Sequence, residues 1–291
     1  MAEPQVPGVR DAGPSPFPYG RWEPLVDGLR DGYRSAEPYP HVVLEGFLDD
    51  EVARAAADEF PRPDATEWIQ YVHVNERKLG KSDRSGIPPA LGRLIDELSS
   101  PPFIALLERL TGIEGLLPDP GLEGGGLHQS ERGGFLNVHA DFTVHPHHRD
   151  WQRRLNLLLY LNPDWRDEWG GHLELWDRDM SRCVEKVAPV LNRCLVFNTD
   201  ADAYHGHPLP LACPEGTTRK SLALYYFTAE TGPLKVRSTE YRARPQDGLK
   251  AVAIFADKWA LRAYDAAKRR LGIDDRVVSR ILGLLGRRKR R

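Results

Sequence analysis

Two runs, Leu155-Asn-Leu-Leu-Leu-Tyr-Leu161 and Ser221-Leu-Ala-Leu-Tyr-Tyr-Phe-Thr228, decide the fold of this chain. Both are apolar and strand-length, and turn signals bound them: Asn162-Pro163 closes the first, and the stretch from Pro208 to Gly216 precedes the second. Runs of similar length, His172–Trp176, Cys183–Val187 and Cys194–Phe197, lie between them, separated by Gly170-Gly171, Pro189 and Asp200. Several short strands at this spacing predict an all-β sandwich or barrel. Gly124-Gly-Gly126 and Gly133-Gly134 mark where this character begins, so the β core is expected over residues 124–232.

The flanks read differently. Residues 1–24 hold six prolines and few aliphatics, the composition of a flexible tail or of a strap laid over the body. Residues 25–123 are expected to support the core. A strand is predicted within Tyr39–Phe47, then a helix from Asp49 or Asp50 to Glu59, stopped by Pro61. Further helices are expected from Pro88 to Leu98 and from about Pro102 to Leu110, the latter capped by Ser99 or Ser100 and closed by Gly112. Residues 233–291 are expected as a C-terminal helical extension, with Val252, Phe255, Trp259, Ala263 and Ala266 near helical spacing over Lys250–Leu271. The fold class is therefore mainly β with helical support, α+β.

Composition narrows the function classes. The 291 residues are 41% hydrophobic and 28% charged, ordinary globular usage. A formal charge of −2 gives no electrostatic case for a nucleic-acid partner. Three cysteines, Cys183, Cys194 and Cys213, form no C-x-x-C pair and argue against a disulfide framework. No signal peptide and no apolar run of membrane-spanning length is visible, so a soluble, cytoplasmic protein is expected. The basic end Gly286-Arg-Arg-Lys-Arg-Arg291 can meet an anionic membrane surface or nucleic acid, though a solvated end after a packed helix is the favoured reading.

The chemistry concentrates in five residues. His139-x-Asp141 is followed, 64 residues beyond Asp141, by His205. In a strand, positions i and i+2 share a face, so His139 and Asp141 can look at one point, with His205 brought in from a distant strand. Two imidazoles and one carboxylate suit iron(II) and leave coordination positions open. A lone His-x-Asp is usually a surface pair; the ordered triplet in strand context is far more specific. Arg219, Ser221, Ala223 and Tyr225 alternate onto one face, where guanidinium and hydroxyl can hold a carboxylate and the Tyr160 phenol can add a third contact. A register slip of one would put Lys220 in place of Arg219. His207 competes with His205 as ligand. His145, His147 and His148 read either as a second metal site or as an exposed loop, Trp165, Trp169 and Trp176 as core and rim packing, and Lys78, Asp83 and Arg84 as a loop that can cover the site. Glu174 and Trp176 are expected on a face of their strand that can reach the pocket.

Taken together, His139-Ala-Asp141, Tyr160-Leu-Asn162, Gly170-Gly-His-Leu173, His205-Gly206 and Arg219-Lys-Ser-Leu-Ala-Leu-Tyr-Tyr-Phe227 resemble the Fe(II)- and 2-oxoglutarate-dependent oxygenases, in particular the prolyl-4-hydroxylase-like group. The resemblance implies a double-stranded β-helix core (jelly-roll, cupin-like). It implies His139, Asp141 and His205 as iron ligands, and Arg219 as partner of the 2-oxoglutarate C5 carboxylate, assisted by Ser221 and Tyr160. Gln129 falls where such enzymes place a further pocket-lining residue. The implied cofactors are Fe(II), 2-oxoglutarate and O2, with ascorbate as a supporting reductant. The implied reaction hydroxylates an unactivated C–H of a small molecule, a glycan intermediate or a prolyl residue, releasing succinate and CO2. The related halogenases carry a small residue at the place of Asp141, so its presence favours hydroxylation. The alternative is a cupin-like metal- or sugar-binding protein without oxygen chemistry, which would have no need of Arg219 beside the metal.

Overall fold

A computed structural model describes residues 15–248, together with 251, 252 and 254. The helix expected over Lys250–Leu271 and the basic end lie outside the described residues.

Five helices precede most of the sheet: α1 (Tyr19–Trp22), α2 (Val26–Ser35), α3 (Asp50–Asp58), α4 (Pro89–Leu98) and α5 (Pro101–Thr111). In α4, Leu91, Leu94, Ile95 and Leu98 are buried, and in α5, Phe103, Leu106, Leu107 and Leu110 are. Both sets follow the i, i+3, i+4, i+7 stripe of an amphipathic helix. The Ser100 hydroxyl accepts from the Phe103 amide at the start of α5, and Gly112 ends the helix with φ +73°, a left-handed cap. The apolar spacing of α2 is broken by Gly28 and Gly32 and its helix is not evident from sequence.

The strands are β1 (His41–Leu44), β2 (Ile69–His73), β3 (Glu76–Lys81), β4 (Leu116–Pro118), β5 (Gly126–Ser130), β6 (Phe135–Ala140), β7 (Trp151–Tyr160), β8 (Leu173–Trp176), β9 (Cys183–Val187), β10 (Arg193–Asn198), β11 (His205–His207), β12 (Arg219–Ala229) and β13 (Glu240–Tyr241). All belong to one antiparallel sheet with the path β1-β10-β7-β12-β5-β3-β6-β11-β8-β9, to which β4, β13 and β2 add at the side. The path folds over at β3, whose Leu79–Lys81 end pairs β5 while its Glu76–Arg77 end pairs β6. The result is a near-closed barrel of the class expected from the strand spacing, consistent with the jelly roll that the resemblance implies.

Strand parity sorts the side chains. Leu155, Leu157 and Leu159 of β7, with Leu222, Leu224 and Tyr226 of β12, turn outward and pack under the helices in the main core. Leu158, Tyr160, Leu195 and Phe197 turn inward and meet Leu173, Leu175 and Val187 of the opposite wall. Asn162 locks this arrangement: its Oδ1 accepts from the Lys220 amide (2.6 Å), and its Nδ2 donates to the Pro189 and Lys220 carbonyls.

Three expectations change. The polar stretch around Lys78 is no loop; residues 69–81 form the β2–β3 hairpin that joins the two walls. Glu174 and Trp176 do not face the pocket, because β8 turns Leu173 and Leu175 inward and Trp176 packs with Val138, Ala140 and Tyr204 outside. Residues 233–244 run as an extended strap with the short strand β13 against β6, not as helix, and only a 3-10 turn, Pro245–Asp247, follows.

The segment from Phe17 to Trp22 lies on the body. Phe17 meets Tyr19, Phe47 and Phe103 with ring centroids 4.9 to 5.2 Å apart, and the Trp22 indole donates to the Phe47 carbonyl. Phe17→Ala is expected to lower the unfolding free energy by about 3 kcal/mol, the lower end for emptying a buried aromatic site. Urea unfolding checks this, and an unchanged midpoint would mean that the segment adds nothing to the core.

Candidate active site

His139 lies near the end of β6, Asp141 just beyond it, and His205 at the start of β11. The pairing of β11 with β6 sets His205 directly opposite His139, with ring centroids 4.5 Å apart. Gly206 permits that approach: a Cβ there would meet the Leu136 and Asn137 carbonyl oxygens at 2.8 and 2.9 Å. One donor atom from each of His139, Asp141 and His205 lies within 4.8 Å of the others, a set that can hold a divalent cation.

The two imidazoles are oriented alike. His139 Nδ1 lies 3.0 Å from the Asn137 carbonyl, and His205 Nδ1 lies 2.9 Å from that of Ala203. A carbonyl only accepts, so each Nδ1 carries its proton and each Nε2 keeps a lone pair for a metal. Burial, then the neighbouring His139, pushes the His205 pKa down to about 4, against the opposing pull of Asp141, so the ring is neutral at physiological pH. Burial alone would raise the Asp141 carboxyl; the Arg153 charge and the two histidines outweigh it and hold the group well below the usual range.

Beside the triad, Arg219, Ser221, Ala223 and Tyr225 do share the inner face of β12. Ser221 stands opposite Tyr160 on one side and His128 on the other. Arg219 is buried; its Nε donates to the Gly171 carbonyl at 2.7 Å, and its guanidinium carbon lies 5.0 Å from the Tyr160 ring centroid. Gly171 has φ +76°, and a Cβ there would press on Arg219 Cδ at 3.0 Å, so glycine makes room for the arginine. Arg219 Nη2 and the Tyr160 hydroxyl are both buried and lie close to one another, and neither makes a well-formed hydrogen bond. Two such atoms side by side suit an anionic ligand with oxygens to offer. Lys220 turns to the other face, its ammonium 5.9 Å from the Phe60 ring centroid.

Gln129 does not line the pocket. It pairs with Lys220 across β5 and β12, on the outer face, and its Nε2 donates to the Pro61 carbonyl. Its neighbour His128 takes the inner face instead; strict alternation from Ser221 across the β5–β12 pair would have identified it. His207 is buried on β11 in the facing wall with Nδ1 unpartnered, and burial, then Arg219, pushes its pKa well down. His145 lies 3.3 Å from Asp119, His147 lies 3.3 Å from Glu123, and His148 stacks on Trp151. Trp165 and Trp169 pack edge to face beside Leu211 and Cys213.

The inner wall carries more charge than sequence reading finds. Glu76 and Lys78 on β3 pair at 3.1 Å, and Glu76 also lies 2.8 Å from His73. Burial would raise the Glu76 carboxyl, but Lys78 and His73 hold it well below the ordinary range. Burial, reinforced by Lys78, pushes the His128 pKa from 6.5 down to about 3. Between those values the unfolded chain binds a proton that folded His128 refuses, so stability falls as pH is lowered through this window. His128→Phe is expected to flatten the acid side of a plot of unfolding free energy against pH, measured by urea unfolding between pH 4 and 7. An unaltered slope would mean that His128 is as easily protonated folded as unfolded.

Residues 125–227 match the family model of the 2OG-Fe(II) oxygenase superfamily, a span that contains the triad and Arg219. No curated protein matches the chain. Among solved structures, a prolyl-4-hydroxylase from Pseudomonas putida is similar at 22% identity over 70% of this chain and 100% of its own, with a TM-score of 0.48. A Trichoplax adhaerens prolyl hydroxylase, solved with a peptide fragment of hypoxia inducible factor, is similar at 18% identity over 71% of this chain and 89% of its own, with a TM-score of 0.48. HygX from Streptomyces hygroscopicus, solved with nickel, 2-oxoglutarate and hygromycin B, is similar at 14% identity over 66% of this chain and 83% of its own, with a TM-score of 0.43. No described helix is long and apolar enough to cross a membrane. The donor set and the buried cation both lie in the part of the chain that is similar to the 2OG-Fe(II) oxygenase superfamily.

Proposed function

We propose that His139, Asp141 and His205 hold iron(II), that Arg219 with Tyr160 and Ser221 holds the distal carboxylate of 2-oxoglutarate, and that the enzyme hydroxylates an unactivated C–H bond of an organic substrate. A small molecule or glycan intermediate is the favoured substrate class over a prolyl residue, since the sequence contains no recognisable peptide-binding module. The iron, when bound with 2-oxoglutarate and O2, supplies the oxidation of the substrate. The chain's own residues bind, orient and exclude water.

The observation that carries this reading is the pair of buried polar atoms on Arg219 and Tyr160 that lack a well-formed hydrogen bond. An unsatisfied buried donor costs about 1–3 kcal/mol, so a fold retains two of them only where something else completes them. A carboxylate does so, taking the guanidinium Nη2 and the phenol while Nε stays on Gly171. Ser221, opposite Tyr160, is on the correct face to add its hydroxyl. The His139 and His205 tautomers present lone pairs toward the same region.

The test is succinate release from 2-oxoglutarate in the presence of Fe(II), ascorbate and O2, screened across candidate substrates. His139→Ala and His205→Ala are each expected to lose iron at equimolar loading, measured by metal analysis after desalting. Stoichiometric metal retained in both would place the centre elsewhere. Arg219→Lys keeps the charge and loses the planar fork, and is expected to weaken 2-oxoglutarate binding by about tenfold or more, read by tryptophan quenching. Unaltered affinity in that variant would remove Arg219 from the carboxylate dock.

A further inference from the structure

Arg153 is fully buried. Its guanidinium lies against the rings of Tyr225 and Phe142, at 3.5 and 4.5 Å from their centroids. Its Nη2 reaches Asp141 Oδ2 at 3.0 Å. Its Nε and Nη2 donate to Asn156 Oδ1 at 3.1 and 2.6 Å. Asn156 Nδ2 in turn donates to the same Asp141 Oδ2 at 2.8 Å. Because a guanidinium only donates, the Asn156 oxygen must face Arg153 and its amide nitrogen must face Asp141. The three side chains close a ring with no freedom to flip.

The ring treats the two carboxylate oxygens unequally. Oδ2 accepts from Asn156 Nδ2, ion-pairs with Arg153 Nη2 and lies 3.6 Å from His205 Nε2, while Oδ1, 3.6 Å from His139 Nε2, meets neither Arg153 nor Asn156. We propose that Arg153 and Asn156 are positioning residues that restrict Asp141 to binding the metal through Oδ1 alone. This rests on the assignment of the triad as the metal site. Its consequence is coordinative. Three ligand atoms from the protein leave three positions open on a six-coordinate ion, enough for a chelating 2-oxo acid and O2. A carboxylate swung to bind through both oxygens would close one of them. Asn156 also shares the inner face with Leu158 and Tyr160, so one strand, β7, carries both the lock and the Tyr160 phenol.

Cobalt(II) added to the metal-free protein tests this without turnover, since its visible bands report coordination number and its titration gives an affinity. Arg153→Lys and Asn156→Ala are each expected to weaken Co(II) binding by about tenfold to a hundredfold and to alter the bands. If Arg153→Lys does not fold, Asn156→Ala decides alone. Wild-type affinity and bands in the variants, with only the thermal midpoint lowered, would make the ring a packing feature and overturn the proposal. Wild-type affinity in Arg153→Lys with loss in Arg153→Met would show that charge suffices, and overturn it too. A wild-type protein that binds no Co(II) at all would bring down the metal-site assignment, and this inference with it.

Discussion

A carboxylate buried in a protein must be paired, and Asp141 is the group around which this site is arranged. Its charge is surrounded by the Arg153 guanidinium, the Asn156 amide and two imidazoles, drawn from β6, β7 and β11. Removing one partner of a buried pair costs several kcal/mol, because the other charge is left without water. The jelly roll meets that requirement by folding its sheet over at β3, which brings β6 and β11 to face β7 and β12. A metal added to this arrangement meets a carboxylate already held in place.

The β core and most of the site were legible in the sequence because both depend on period two. Alternation in Leu155–Tyr160 and Arg219–Tyr225 correctly put Tyr160, Arg219 and Ser221 on one face and Lys220 on the other. The helices were legible where the i, i+3, i+4 stripe is unbroken, in α4 and α5, and not in α2, where two glycines interrupt it. Gln129 failed because it was carried over from a resemblance at fixed distance from His139, and the same alternation contradicts that placement. Counting from Ser221 across the β5–β12 pair gives His128.

What sequence did not yield depends on contacts between strands distant in the chain. Arg153 gains its role only once β7 is placed beside the loop after β6. The register shift in the β7–β12 pair between Tyr226 and Phe227 helps to defeat simple parity there. The polar stretch around Lys78 reads as a loop, yet β3 is the strand at which the sheet turns over, so Glu76 and Lys78 belong to its wall. Charges on a short hairpin are weak evidence of exposure when the hairpin joins two halves of a barrel.

The two sides of the site spend stability differently. Around Asp141 the Arg153, Asn156 and carboxylate groups satisfy one another within the protein. Around Arg219 one guanidinium nitrogen and one phenol are left without a well-formed hydrogen bond, and burial lowers the Arg219 pKa and raises that of Tyr160, each away from its charged form. A fold under selection for stability alone would complete or replace those groups. Keeping the metal half complete and the anion half incomplete makes the second half gain most from a carboxylate ligand. The coupling this creates is local: an anion that satisfies Arg219 and Tyr160 also rigidifies the start of β12 and the end of β7, the strand that carries Arg153 and Asn156.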